Sequence, residues 1–479
     1  MTVTRPRLPA LGVRRGARPR PWFLLALVSA GYGLAQLLLL AFPWMGIGWD
    51  EAVYASQYAA HAPPAPYSAP RARGVPLLVG PVVMLTDSIA VLRLYLIALS
   101  SLGLFAAFAV WLRVRDHPAV PLAALLFAGC WLSLFYGGQA MPNLYVALSA
   151  VAATGFVALG GRSWAMAAGL AGAFAVMSLM RPSDSLVTAG VLGLAALAVP
   201  AWRSLRTLLG IAAGLAVGWG QWMIEAQRDF GGIAERLRDA GEHNVTGWTL
   251  SLVEHARALD GPSLCRFGTD CGPVSPIALI WWLAIPAMAA VGVWLAWRAG
   301  RPWPALLAAA SGVALALPYL FYVDYAAPRF LMPAYALLAL PIADGMTELA
   351  RRRGPLCAFV AAGLGAHLLL QGAYAYGMVK ANENGRQRMA EAVVELRRLG
   401  VRPPCMIYGE SGVQIGYMLG CESQGIMQRF AERAPARIRE AMERGDRLAV
   451  IHADVTPPDY VADWPEHDLP GRWTARLAP

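Results

Sequence analysis

The chain has 479 residues, of which 57% are hydrophobic and 15% charged, and its mean hydropathy is +0.47. Soluble globular chains carry about 25% charged residues, so this composition excludes an ordinary soluble enzyme, a disordered chain and a fibrous repeat. The formal net charge is +10, which in a chain this apolar reads as the basic flanks of membrane spans rather than a nucleic-acid footprint.

Residues 1–21 contain Arg5, Arg7, Arg14, Arg15, Arg18 and Arg20 and no acid. The apolar run 22–43 follows. It is long for a signal-peptide core and has no clear small-residue cleavage site, so it is predicted to be a retained first helix. Ten further apolar runs occur at about 90–112, 119–136, 143–160, 164–180, 183–201, 207–224, 275–297, 303–322, 330–349 and 355–377. If the eleven runs alternate across a membrane, one set of loops holds Arg113, Arg115, Arg162, Arg203, Arg206, Arg298, Arg301 and Arg351 to Arg353. The other short loops hold little more than Arg71, Arg73, Arg181 and Arg329. The positive-inside rule then places the N-terminus in the cytoplasm and, with an odd number of spans, the C-terminus outside. The predicted organisation is a basic cytoplasmic N-terminus (1–21), a membrane domain (22–377) with outer loops at 44–89 and 225–274, and an extracytoplasmic α/β domain (378–479).

The tail reads as α/β because Met389, Ala392, Val393, Leu396 and Leu399 keep helical spacing. Cys405–Gly409 and 448–452 are strand candidates, with a helix over 411–419 between them. Cys265 and Cys271 share one predicted outer loop, and Cys405 and Cys421 lie in the tail, so two disulfides in an oxidising compartment are expected. Cys130 and Cys357 fall in or beside apolar runs and read as small hydrophobes. His61, His243 and His255 are scattered, with no His-x-x-x-His pair. No cofactor motif stands out and no nucleotide loop follows a strand; a divalent metal is left open.

The first outer loop opens with Gly48-Trp49-Asp50-Glu51-Ala52-Val53-Tyr54. Two acids immediately after a span could be solvated edge residues, with Trp44, Trp49 and Tyr54 as an aromatic belt. They could equally supply a general base whose partial burial tunes its pKa. The proline-rich stretch 61–67 cannot be one helix. Gly74–Pro81 is apolar, too short to span, and reads as an interfacial or re-entrant element. Arg71 and Arg73 either bind lipid phosphate or snorkel. Asp87 and Arg93 precede or open the next span.

In their order, these features resemble the GT-C glycosyltransferases, which include protein O-mannosyltransferases and aminoarabinose lipid A transferases. The resemblance rests on Trp49-Asp50-Glu51-Ala52-Val53-Tyr54, on Pro76, Pro81 and Arg93, and on Arg329-Phe330-Leu331-Met332-Pro333 in a late outer loop. The stretch 222–232, which contains Glu225, looks like a feature of actinobacterial members. The resemblance implies an α-helical polytopic membrane protein of about 11 transmembrane helices with a small extracytoplasmic α/β C-terminal domain, in a bacterial plasma membrane. It implies inverting transfer of a hexose or pentose from a polyprenyl-phosphate donor to a cell-envelope glycan, lipid or protein. Asp50 matches the family's catalytic acid, with Glu51 as an orienting neighbour or the base itself. Arg329 matches its late outer arginine, and Arg181 stands near a turn where members carry a basic residue; Asp184 is its natural ion-pair partner. Where some members have a further acid, this chain has Gln139 and Asn143. Two other readings stay open: a transporter or flippase of lipid-linked saccharides, although no paired broken helices mark the two halves, and an inactive scaffold with the same fold.

Overall fold

Each of the eleven apolar runs forms helix among its described residues in a computed structural model, which describes residues 20–39, 45–160, 163–266, 268–352, 354–426 and 429–479. The basic N-terminus up to residue 19, Trp44, Arg162 and Arg353 lie outside the described residues. In chain order the membrane helices are Pro21–Leu39, Ile89–Val114, the pair Ala119–Ala128 and Trp131–Gly137, Pro142–Ala158, Trp164–Met180, Pro182–Ala198, Leu205–Asp229, Pro276–Arg298, Pro302–Phe321, Met332–Arg351 and Pro355–Arg398. Among the described residues seven helices are long and apolar enough to cross a membrane, or eight if the pair counts as one span. That pair is bent by 70°, where the sequence alone suggested one straight run over 119–136. Three helices of 17 residues are each about 25 Å long, a little under the hydrocarbon thickness of about 30 Å.

Local chemistry sets the breaks. The Ser88 and Ser163 side chains cap their helices by accepting from the Val91 and Met166 N–H groups. Proline opens the helices that begin at 142, 182, 276 and 302, where its missing N–H is harmless. Small residues let helices approach in the absence of a hydrophobic drive in lipid. Gly210, Gly214 and Gly218 line the Leu205–Asp229 helix one turn apart, and a Cβ at Gly214 would meet the Ala171 carbonyl oxygen at 2.5 Å. The span around Met332–Arg351 is 89% buried and forms the centre of the bundle, whereas the span within Pro355–Arg398 is 6% buried and lies at its edge.

The long loops carry short elements. The first loop holds helices Trp49–Ser56 and Gly74–Val83, separated by the non-helical proline-rich stretch. The second holds Ile233–His243, Leu252–Arg257 and a two-residue strand, Cys265–Arg266, paired antiparallel with Tyr325–Ala326. The Cys265–Cys271 disulfide closes its tip.

The Pro355–Arg398 helix continues past residue 377 without a break and delivers Met389, Ala392, Val393 and Leu396 to the core of the tail domain. The sheet order there is Glu422–Gly425, Cys405–Gly409, Arg447–His452, Thr474–Leu477, Glu466–Asp468. The first three strands are parallel and the last two pairings antiparallel. Helices Gly412–Leu419 and Ala436–Arg444 cover it, and Cys405–Cys421 forms the second disulfide. The domain docks on the first long loop. His61 Nε2 lies 3.1 Å from the Tyr417 carbonyl, and the Trp49 ring lies against Gly425. Gly420 has φ +78°, and a Cβ there would meet the His61 carbonyl oxygen at 2.6 Å, so the position is glycine for two reasons.

Candidate active site

The Trp49–Ser56 helix places both acids in its first turn, where the positive end of the helix dipole favours them. Glu51 folds back so that Oε2 accepts from the Gly48 N–H at 2.9 Å, the reach of a capping-box glutamate. Oε1 accepts from the Ala140 N–H at 2.8 Å and from Arg93, whose Nη2 also meets Oε2 at 2.8 Å. Arg386 stands 3.6 Å away. Burial alone pushes the Glu51 carboxyl up, but Arg93 and Arg386 outweigh it and hold it below the ordinary carboxylate range. Glu51 is 1% exposed and its acceptor capacity is filled. Arg93 also donates to the Gly138 and Gly46 carbonyls at 2.7 and 2.9 Å, so this pair ties the first long loop to two membrane helices.

Asp50 faces a different setting. Its side chain is 31% exposed and lines a cavity of about 470 Å³. Oδ1 receives Arg71 Nη2 at 2.6 Å, and Oδ2 stands 3.4 Å from Arg329 Nη2. Burial pushes this carboxyl up as well; Arg71 and then Arg329 draw it below the usual range. Arg71 is steadied by Ser68 Oγ at 3.1 Å and by the Tyr54 ring, 4.9 Å away. Arg329 is held more loosely, by the Ser263 carbonyl at 3.2 Å and the Phe330 face at 5.4 Å. Arg181 lies over Phe330 at 4.6 Å and Tyr319 at 5.1 Å, pairs with Asp184 at 3.5 Å, and is near enough for its charge to act on Asp50. The Tyr319 hydroxyl donates to Asp184. Gln139 lines the same cavity and donates to the Phe135 carbonyl at 2.9 Å.

The other candidates separate from this group. Arg73 pairs with Glu225, donates to Gln57 at 2.8 Å and lies over Tyr67. Glu225 also pairs with Arg236 at 3.0 Å. Arg236 is fully buried, sandwiched by Trp222 and Phe230, and donates to the carbonyls of Ala69, Trp222 and Arg71. Arg73 and Glu225 therefore belong to a clamp that fastens the loop carrying Arg71. Asn143 is buried in the Pro142–Ala158 helix and does not line the cavity.

Arg386, Arg236 and the tail residues Gln414, Arg472 and Trp473 escaped the sequence reading. Burial pushes the Arg386 guanidinium down to about 10 despite Glu51 opposite it. In the sequence both arginines stand among polar residues, the pattern of a solvated charge, which hides their burial. The one available signal for Arg236 was its place beside the 222–232 stretch. Among the described residues no group of three His, Cys, Asp or Glu could hold a metal ion. His61, His243 and His255 each have a backbone carbonyl in hydrogen-bond reach, and burial pushes His255 down to about 4.

The bundle of membrane helices, with an α/β tail docked on the loop after its first helix, is a GT-C-like fold. No family profile matches the chain, and no curated relative matches it in sequence. Among solved structures it is similar to ArnT from Cupriavidus metallidurans bound to undecaprenyl phosphate, with 15% identity over 95% of this chain and 97% of that one and a TM-score of 0.62. The apo form of the same protein gives 14% identity over the same shares and a TM-score of 0.59. An oligosaccharyltransferase from Archaeoglobus fulgidus is similar over 90% of this chain and 69% of its own, with 14% identity and a TM-score of 0.53.

Proposed function

We propose that this chain is an inverting glycosyltransferase that moves a sugar from a polyprenyl-phosphate donor to a cell-envelope acceptor on the outer face of a bacterial plasma membrane. The observation that carries the reading is Asp50, a partly exposed carboxylate at the edge of a cavity, flanked by Arg71 and Arg329. A base and cations within reach of one reacting centre are what this transfer needs. The ArnT structure, similar throughout its length, contains undecaprenyl phosphate.

In the reaction, Asp50 takes the proton of an acceptor hydroxyl as its oxygen attacks the anomeric carbon from the face opposite the phosphate. The bond from that carbon to the phosphate oxygen breaks, and polyprenyl phosphate departs with the electron pair. Configuration inverts once. A glycosidase uses a second carboxyl to protonate its leaving alcohol; a phosphate leaves as an anion and needs fixed cations instead. Arg329 and Arg181 are assigned that task. Arg329 is the more loosely held, and its move from Asp50 to the incoming phosphate raises the basicity of Asp50 when the donor is present. Glu51 is assigned a positioning role, because its oxygens are already engaged.

The arginines support the proposed orientation. Arg301 and Arg351 lie close enough for their charges to act on Arg115, which supports one basic, cytoplasmic end of the bundle.

The test is a transfer assay on the purified chain in lipid, with a panel of polyprenyl-phosphate pentoses and hexoses and a crude envelope acceptor fraction. One donor is expected to turn over, and Asp50→Asn to lower kcat by about 10²–10⁴-fold, the range of a general base, with donor binding retained. Turnover unchanged in Asp50→Asn would remove Asp50 from the mechanism. Donor translocation without sugar transfer would favour a flippase.

A further inference from the structure

The cavity beside Asp50 has a wall that the transfer chemistry leaves unused. Gln414, Arg472 and Trp473 of the tail domain form it, together with Arg388 on the long Pro355–Arg398 helix. Its charge is not neutralised from within. Four arginines line the cavity (Arg329, Arg386, Arg388, Arg472) against two carboxylates, Asp50 and Glu51. Both carboxylates already face arginines outside this wall, Asp50 facing Arg71 and Arg329, and Glu51 facing Arg93 and Arg386. Arg388 is exposed and forms no ion pair among the described residues. Arg472 pairs with Asp454, but both side chains are about two-thirds exposed (64% and 65%), so a competing anion can replace the partner.

The same wall holds unpaired polar atoms. Trp473 and Gln414 are 7% and 9% exposed, and neither Trp473 Nε1 nor Gln414 Oε1 has a hydrogen-bond partner among the described residues. Buried donors and acceptors are normally paired, and one unpaired donor and one unpaired acceptor on a single cavity wall match the hydroxyl groups of a sugar. Both atoms are closed to solvent as the side chains stand, so pairing them accompanies a rotamer change.

We propose that this wall is the acceptor subsite and takes a hydroxyl-bearing saccharide that carries an oxyanion, either a carboxylate or a phosphate. Trp473 supplies an aromatic edge and a hydrogen-bond donor, Gln414 an acceptor, and Arg388 and Arg472 the charge that selects the oxyanion. The assignment rests on the transfer reading, since it divides one cavity between the donor at Arg329 and the acceptor at Arg388.

The experiment measures equilibrium binding to the full chain in lipid nanodiscs. The probes are a uronic-acid disaccharide, a sugar monophosphate, a neutral disaccharide and a short-chain polyprenyl phosphate. At least one acidic saccharide is expected to bind about fivefold or more tightly than the neutral one, as a charge-assisted pair would give. Whichever acid wins names the acceptor's oxyanion. Arg388→Ala, a change at an exposed position that leaves the fold intact, is expected to erase that preference while polyprenyl-phosphate affinity stays within about twofold. Trp473→Phe is expected to weaken acidic and neutral saccharides alike. Equal binding of acidic and neutral saccharides, or an Arg388→Ala loss that falls on polyprenyl phosphate, would overturn the subsite. Saccharide binding without polyprenyl-phosphate binding would sink the transfer reading instead and leave the wall as a saccharide site.

Discussion

Glu51 receives hydrogen bonds from Gly48, Ala140 and Arg93, while its neighbour Asp50 keeps 31% of its side chain exposed and leans on two arginines at one edge of the cavity. Two adjacent carboxylates thus receive different work from their surroundings. Glu51→Gln leaves Arg93 and Arg386 buried against a neutral group, and breaking a buried pair in this way costs about 3–5 kcal/mol. Its signature is a lowered Tm in thermal unfolding, with any loss of transfer accompanied by loss of folded protein. A Glu51→Gln chain with unchanged Tm and no transfer would make Glu51 the base. Arg329→Gln tests the electrostatics of Asp50. The ionised carboxylate is present above its lowered pKa and is lost as pH falls through that value. Removing one of the cations that lower it moves the acid limb of kcat/KM to higher pH. A pH profile of both enzymes checks this, and an unmoved limb would detach Arg329 from Asp50.

Arg236 shows how an element far from the chemistry sets its geometry. It gathers the carbonyls of Ala69, Arg71 and Trp222 and so fixes the stretch that aims Arg71 at Asp50. A lysine keeps the charge but not the planar fork. Arg236→Lys is therefore expected to lower kcat by about tenfold or more, because misplacement by about 1 Å can cost 10²-fold. Limited proteolysis within 57–73 is expected to quicken in parallel; wild-type resistance there would deny the clamp its role. At this scale much was legible beforehand. Apolar runs bounded by Pro, Gly and Arg gave the eleven helical runs, and Cys405–Gly409 was visible as a strand from its apolar residues. The strands Glu422–Gly425 and Glu466–Asp468 were not, because they are short, polar and form the two edges of the sheet. Asp50 and Arg329 could be nominated from their motifs. The different settings of Asp50 and Glu51 could not, because they depend on Arg93 and Arg386, which lie 42 and 335 positions from Glu51 (93 − 51 and 386 − 51).

For the whole molecule, the proposed topology puts the tail domain and its disulfide outside. A protease-cleavable tag after residue 479 is expected to be removed from intact spheroplasts by added protease; protection there would reverse the orientation and with it the face on which Asp50 works. The docking of the tail on the first loop, through His61 and Tyr417 and through Trp49 and Gly425, makes the cavity a joint product of both domains. Their separate expression is not expected to reproduce it.

The 44-residue helix Pro355–Arg398 is also a depth gauge. At about 1.5 Å per residue it is about 66 Å long, roughly twice the hydrocarbon thickness of about 30 Å. Arg386 lies 31 residues from its start (386 − 355), about 47 Å along the rod. The rod has no break in between, so the cavity stands at one elevation above the bilayer midplane whatever the outer loops do. A lipid carrier then qualifies by the level at which it presents its phosphate. Under the proposed function, isoprenoid chains of different lengths that deliver their phosphate at the same level are expected to serve alike, and a soluble short-chain analogue to serve worse.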